Sequence, residues 1–335
     1  MKISASLYSN TSKNQEQLIE QLERCYIDFF HIDSIDDLTV FQDISRIQKI
    51  SKTPIDLHII SAQPEKYFQE IAQLQIKQAA IQYEHIENHP IRFPNGKTKW
   101  GIAITTHTPI DVFTDYSGSC SYVLMMTTIP GESGGLFQKV NFQRIRKFRN
   151  QFPQKEIFVD GGVNDEVSFI LRILGVTGMI SGSYLVNHQS IGEAILHLKS
   201  SIIHSNYQIK DFMMELPETP IVSEHELSVS SIILSIEKGD LGFTLIKANN
   251  GALSGLVSNA DLRKALIKNL DNLNNVKVDD LINKTPVRIN ENATISDLLL
   301  LINQSDFLVS FLPVIDNQNN LKGALSFAHL IRSES

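Results

Sequence analysis

Four side chains carry the chemistry this chain could do. His31 and Asp33 stand two residues apart in F-F-H-I-D, His58 closes I-D-L-H, and Asp160 ends I-F-V-D ahead of two glycines. Two imidazoles and two carboxylates form a donor set for one divalent transition ion. Zn²⁺, Fe²⁺, Mn²⁺ and Co²⁺ accept that mixture of nitrogen and oxygen, whereas Ca²⁺ and Mg²⁺ ask for oxygen throughout. Each donor sits at or near the end of a β-prone run. Residues i and i+2 of a strand share a face, so His31 and Asp33 aim the same way. A lone strand histidine is ordinarily a satisfied core residue. Four donors on three similar strands are what a shared site at one rim requires.

Glycines mark a second kind of site. Gly134 and Gly135 follow one strand in I-P-G-E-S-G-G-L-F, Gly161 and Gly162 follow Asp160, and Gly182 and Ser183 close M-I-S-G-S-Y. Bare backbone amides can approach an anion closely. Any one of these loops is equally well explained by a tight turn. Three at one rim favour a phosphate group.

The elements that must position these residues alternate. Strands are expected over 2–7, 27–33, 54–60, 79–83, 100–105, 122–127, 157–160 and 178–181. Helical patterns fall over 12–24, up to 50, and over 65–74, 140–150, 165–174 and 191–200. Strands interleaved with helices make a parallel sheet, and eight of them predict an α/β (β/α)₈ TIM barrel. One unit breaks the pattern. Between the fourth and fifth strands, H-I-E-N-H-P-I-R-F-P-N-G-K-T-K carries Pro90, Pro94 and Asn95-Gly96, so the fourth helix is expected to be replaced by a loop.

Composition sets limits. Over 335 residues the chain is 42% hydrophobic and 20% charged, with a net charge of −7 and no block of one sign. That is a soluble globular pattern with no call for nucleic acid or a membrane surface. No apolar run is long enough to span a bilayer and no signal peptide is read at the start. With only Cys25 and Cys120, a reduced, cytoplasmic protein is the expectation.

Residues 1–201 resemble ribulose-phosphate 3-epimerase. The resemblance rests on I-S-A-S-L-Y-S, H-I-D, D-L-H-I-I, T-P-I-D, M-T-T-I-P-G-E-S-G-G, V-D-G-G-V and S-G-S. It implies that His31, Asp33, His58 and Asp160 bind one divalent metal and that Asp33 and Asp160 are the acid/base pair. It also implies that Ser6 lies beside the substrate and that Gly134, Gly135, Gly161, Gly162, Gly182 and Ser183 hold its phosphate. The chemistry agrees. Inverting a carbon beside a ketone takes a base on each face, and the metal would stabilise the enediolate as a Lewis acid. There are departures from the family pattern: Ile35 and Ile60 replace methionines, Asp37 replaces a glycine, and Ile129 replaces an asparagine. They leave open which ketose phosphate is turned over.

After a linker expected over 202–220, two segments repeat. T-P-I-V-S-E-H-E-L, G-F-T-L-I and L-S-G-L-V-S-N-A-D-L-R answer to T-P-V-R-I-N-E-N-A, F-L-P-V-I and L-K-G-A-L-S-F-A-H-L-I-R. The pair resembles tandem cystathionine-β-synthase-type (CBS) domains of α+β build, over 221–271 and 272–335, the first most like those fused to arabinose 5-phosphate isomerases. The resemblance implies an adenine or cytidine nucleotide on Ser258 and Asp261, with Gly255 completing the motif. In the second copy, Gly323 and Ser326 are followed by His329 where an aspartate belongs. The expectation is a metal-dependent ketose-phosphate 3-epimerase, homo-oligomeric, with a nucleotide-sensing module. The alternative is a nucleotide-sensing scaffold whose barrel binds a sugar phosphate without turning it over.

Overall fold

The computed structural model describes residues 1–10, 13–87, 89, 91–131, 134–200 and 205–328. It divides into two compact units that part between residues 203 and 204.

In the first unit eight strands close a barrel: β1 Lys2–Ser6, β2 Phe29–Ile35, β3 Ile55–Ile60, β4 Gln78–Gln82, β5 Lys99–Ile104, β6 Tyr122–Met126, β7 Glu156–Asp160 and β8 Gly178–Ser181. Each pairs in parallel with the next, and β8 returns to β1. The outer helices form where apolar stripes and caps coincide. Asn14 caps Gln15–Arg24, whose Leu18, Ile19 and Leu22 are buried. Asn164 caps Asp165–Ile173 by accepting from the Val167 amide, with Asp165 and Glu166 in the positive first turn.

Among the described residues of the fourth connection, the short 3₁₀ turn Tyr83–His85 stands where an α-helix would be. The fifth departs as well, with the 3₁₀ helix Ile110–Tyr116 in place of an α-helix. Phe113 anchors it edge-on to Phe148 and Phe152. Inside the barrel, aromatic rings fill space that glycines leave open. A Cβ on Gly101 would stand 2.5 Å from the Tyr122 ring, and one on Gly178 would collide with the Phe158 ring. With Ala80, Ala103, Leu124, Met126 and Ile180 these rings form a buried cluster inside the barrel.

The second unit holds two sheets, built from β9 Met214–Glu215, β10 Ile221–Ser223, β11 Phe243–Lys247, β12 Leu253–Ser258, β13 Ile289–Asn290, β14 Phe311–Ile315 and β15 Leu321–Ser326. Their orders are β10-β11-β12 and β13-β14-β15-β9. The two share one plan. In each a parallel pair leads into an antiparallel hairpin of equal register, Phe243↔Ser258 and Phe311↔Ser326, with a bulge at the same step. The stretch read as a linker is structured in part: Ile209–Phe212 is a helical turn and β9 extends the second sheet along β15. His329 lies outside the described residues. No helix among the described residues is long and apolar enough to cross a membrane.

Candidate active site

The barrel register assembles the four donors. Ser6 lies beside His31, His31 beside Asp56, and Asp33 beside His58 across β1, β2 and β3. Asp160 closes the set from β7. One donor atom from each of His31, Asp33, His58 and Asp160 lies within 4.8 Å of all the others. Asp33 Oδ1 is 2.9 Å from His58 Nδ1 and 3.3 Å from His31 Nε2, and Asp160 Oδ2 is 3.8 Å from His31 Nε2. Both imidazoles are fully buried, while the carboxylates keep a little exposure toward the rim.

The outward-facing nitrogens of both rings meet acceptors. His31 Nδ1 donates to Asp56 Oδ2 at 2.9 Å, and Asp56 is held in turn by the Ser4 hydroxyl and Gln78 Nε2. His58 Nε2 donates to Gln82 Oε1 at 2.7 Å. A neutral ring that gives its one proton to the outward partner turns a lone pair inward, toward two carboxylates. Lone pairs and anions facing one another need a cation between them. The donor set therefore fits a divalent transition ion held by His31 Nε2, His58 Nδ1, Asp33 and Asp160.

Electrostatics tell the same story. Burial pulls His31 down, yet Asp33 and Asp56 around it hold its pKa well above the ordinary imidazole value. Burial opposes charge on Asp33, but His31 and His58 outweigh it and keep its carboxyl far below the usual range. Asp160 goes the other way. Burial dominates, its attraction to His31 is offset by repulsion from Asp33, and its pKa is pushed up to about 6. A proton on His31 or a metal ion would answer the same demand for positive charge among the acids.

Above the donors opens a cavity of about 450 Å³. Ser6, Asp33, Gly134, Gly135, Asp160, Gly161, Gly162, Gly182 and Ser183 all line it, so the residues expected to bind substrate and phosphate come together with the acid pair. The β7 loop packs backbone to backbone on the β6 loop. Gly161 has φ +106° and Gly162 φ +63°. A Cβ on Gly161 would stand 2.8 Å from the Thr128 amide nitrogen, and one on Gly162 would stand 2.8 Å from the Leu136 carbonyl carbon. Only glycine fits that approach.

Ser258 and Asp261 are far along the chain in the second unit and already have work. Asp261 Oδ2 accepts from the Ser258 hydroxyl at 2.6 Å and its amide at 2.9 Å, closing the capping box of the helix Asn259–Lys268. Gly255 also has a local reason, since a Cβ there would sit 3.0 Å from the Asn283 carbonyl oxygen. Sequence reasoning missed Asp56, Gln82, Glu84, Thr128 and Tyr8. Asp56 had a signal, two residues before His58 on the same strand face.

The sequence model of the ribulose-phosphate 3 epimerase family matches residues 2–186. The chain belongs to that family. Among curated ribulose-phosphate 3-epimerases, that of Methanocaldococcus jannaschii is 26% identical over 64% of this chain and 95% of its own length. That of Schizosaccharomyces pombe is 24% identical over 60% and 94%, and one from Helicobacter pylori is 29% identical over 55% and 90%. The barrel is that of an epimerase. A CBS domain model matches residues 278–335, and the matched register of the two sheets makes residues before it a second copy of the same plan. Solved structures similar to this part include the CBS-pair protein CBSX2 of Arabidopsis thaliana, at TM-score 0.32 and 23% identity over 39% of this chain and 95% of that one.

Proposed function

We propose that the barrel inverts C3 of ribulose 5-phosphate, giving xylulose 5-phosphate, with the help of one divalent metal ion. The observation that carries this reading is the convergence of donor atoms from His31, His58, Asp33 and Asp160 within 4.8 Å of one another, beside a glycine-lined cavity. Asp33 and Asp160 reach the rim from β2 and β7, which are not neighbours in the barrel, and in this reading they act from opposite faces of a planar intermediate. Their opposed pKa directions suit the task. Asp33 is ionised and Asp160 can carry a proton at mildly acidic pH, so the two begin in complementary states. Reversing the reaction exchanges the roles. When bound, the metal ion supplies Lewis-acid polarisation of the carbonyl. Gly134, Gly135, Gly161, Gly162, Gly182 and Ser183 orient the phosphate, and Ser6 borders the sugar.

For the second unit we carry forward nucleotide sensing at Ser258 and Asp261, in which a bound nucleotide would have to share Asp261 with the helix cap. The barrel reading is tested by proton exchange at C3 of ribulose 5-phosphate in D₂O with the zinc-loaded protein. Exchange is expected for the unaltered chain and expected to vanish in Asp33→Asn and in Asp160→Asn. Full exchange in either variant would remove that residue from the acid/base pair.

A further inference from the structure

Glu84 lies two residues beyond β4 and is tied on both sides. Its carboxylate accepts from Gln82 Nε2, from the Thr108 hydroxyl and, at 2.9 Å, from the Thr105 amide. A carboxylate has no proton to give, so the end of Gln82 that faces it must be the NH₂. The carbonyl end then turns the other way and meets His58 Nε2 at 2.7 Å. An amide oxygen only accepts, so His58 carries its proton on Nε2. Its Nδ1, inside the ligand cluster and in contact with Asp33 Oδ1 at 2.9 Å, is then the nitrogen left to offer a lone pair once a cation takes the place of the proton between them. His58 and Gln82 are fully buried, so bulk water cannot stand in for either partner.

We propose that Glu84 is a positioning residue which, acting through Gln82, selects the His58 tautomer that can donate to a divalent cation. This rests on the metal-dependent reading above and adds to it a device outside the ligand set. Glu84 is two hydrogen bonds removed from the cation site and need not touch substrate. The relay also ties that site to the loop after β5, through Thr105 and Thr108.

The isosteric substitution Glu84→Gln separates the relay from simple packing. The Thr105 amide still demands an acceptor, so the new carboxamide keeps its oxygen there and turns its NH₂ toward Gln82. Gln82 must then flip, offer a donor to His58 Nε2 and drive the ring proton onto Nδ1. Zn²⁺ affinity, read by competition with a chromophoric chelator on the full chain, is expected to fall roughly 10- to 100-fold, as for loss of other partners behind a metal ligand. Imidazole ¹⁵N shifts of the zinc-loaded protein should report the changed tautomer. The exchanged pair Gln82→Glu with Glu84→Gln restores an acceptor against His58 Nε2 and should recover both affinity and spectrum. Unchanged Zn²⁺ affinity in Glu84→Gln, or loss that the exchanged pair fails to rescue, overturns the relay while leaving the metal reading intact. Absence of stoichiometric Zn²⁺ from the unaltered protein overturns both.

Discussion

The acid cluster should make Asp160 a liability for folding whenever no cation balances it. Asp160 is buried beside Asp33, and its pKa is pushed up to about 6 from the ordinary 3.8. A carboxyl whose folded-state pKa is raised costs stability as the pH climbs from its unfolded value to its folded one. Above about 6 the full cost stands. At about 1.4 kcal/mol per pH unit, the gap sets an upper bound near 3 kcal/mol. That value already contains the attraction of His31, which faces Asp160 as well as Asp33 and Asp56. The net expectation for Asp160→Asn in chelator-treated protein at pH 8 is stabilisation by roughly 1–3 kcal/mol. At roughly 2–4 °C per kcal/mol for a unit of this size, the shift is readily measured. At pH 5, between the unfolded 3.8 and the folded value of about 6, the gain should fall to roughly half, and it should shrink toward nothing only below the unfolded value.

The chain contains a single tryptophan, Trp100, buried on β5, so its fluorescence reports unfolding of the barrel alone. Saturating Zn²⁺ should invert the order. A ligand at 100 times its Kd adds about 2.7 kcal/mol to the state that binds it, and the asparagine variant, short of one anionic donor, gains less. A variant no more stable than the unaltered chain at pH 8, or one whose advantage persists unchanged at pH 5, would refute the reasoning.

Two further outcomes follow from the geometry. Gly161→Ala puts a methyl group at φ +106° and 2.8 Å from the Thr128 amide, so the β6 and β7 loops must part. KM for the phosphorylated ketose should rise by roughly tenfold or more while kcat falls less, as expected when remote binding is lost, and steady-state kinetics decide it. Asp261→Ala removes the capping box of Asn259–Lys268 and should lower the stability of the second unit by about 1 kcal/mol, measured by denaturant titration. The same variant should lose binding of adenine or cytidine nucleotides by calorimetry. Retained binding would reduce Asp261 to its cap.

How much of the site could be read from the chain depends on which contacts are local. His31 and Asp33 were legible because two-residue spacing on a strand fixes their shared face. Asp160 was legible because Asp-Gly-Gly after an apolar run marks a strand end that has glycine loops to make. The relay behind His58 was not legible. Gln82 and Glu84 stand in an unremarkable A-I-Q-Y-E, and their meaning arises only from the register of β3 on β4, which sets His58 beside Ala80 and lets Gln82 rise over it. The 3₁₀ helix of the fifth connection had no reading in the sequence for a related reason: what anchors it is Phe113 packing on Phe148 and Phe152, residues more than thirty positions away. In the second unit, β9 was hidden because two residues carry no periodicity of their own, and only the free edge of β15 makes them a strand. Ligand atoms are thus announced by local pattern, whereas the protons that make them ligands are assigned by neighbours across the sheet. On the relay proposed above, the cation affinity of the rim depends on Glu84, a residue outside the four-donor cluster.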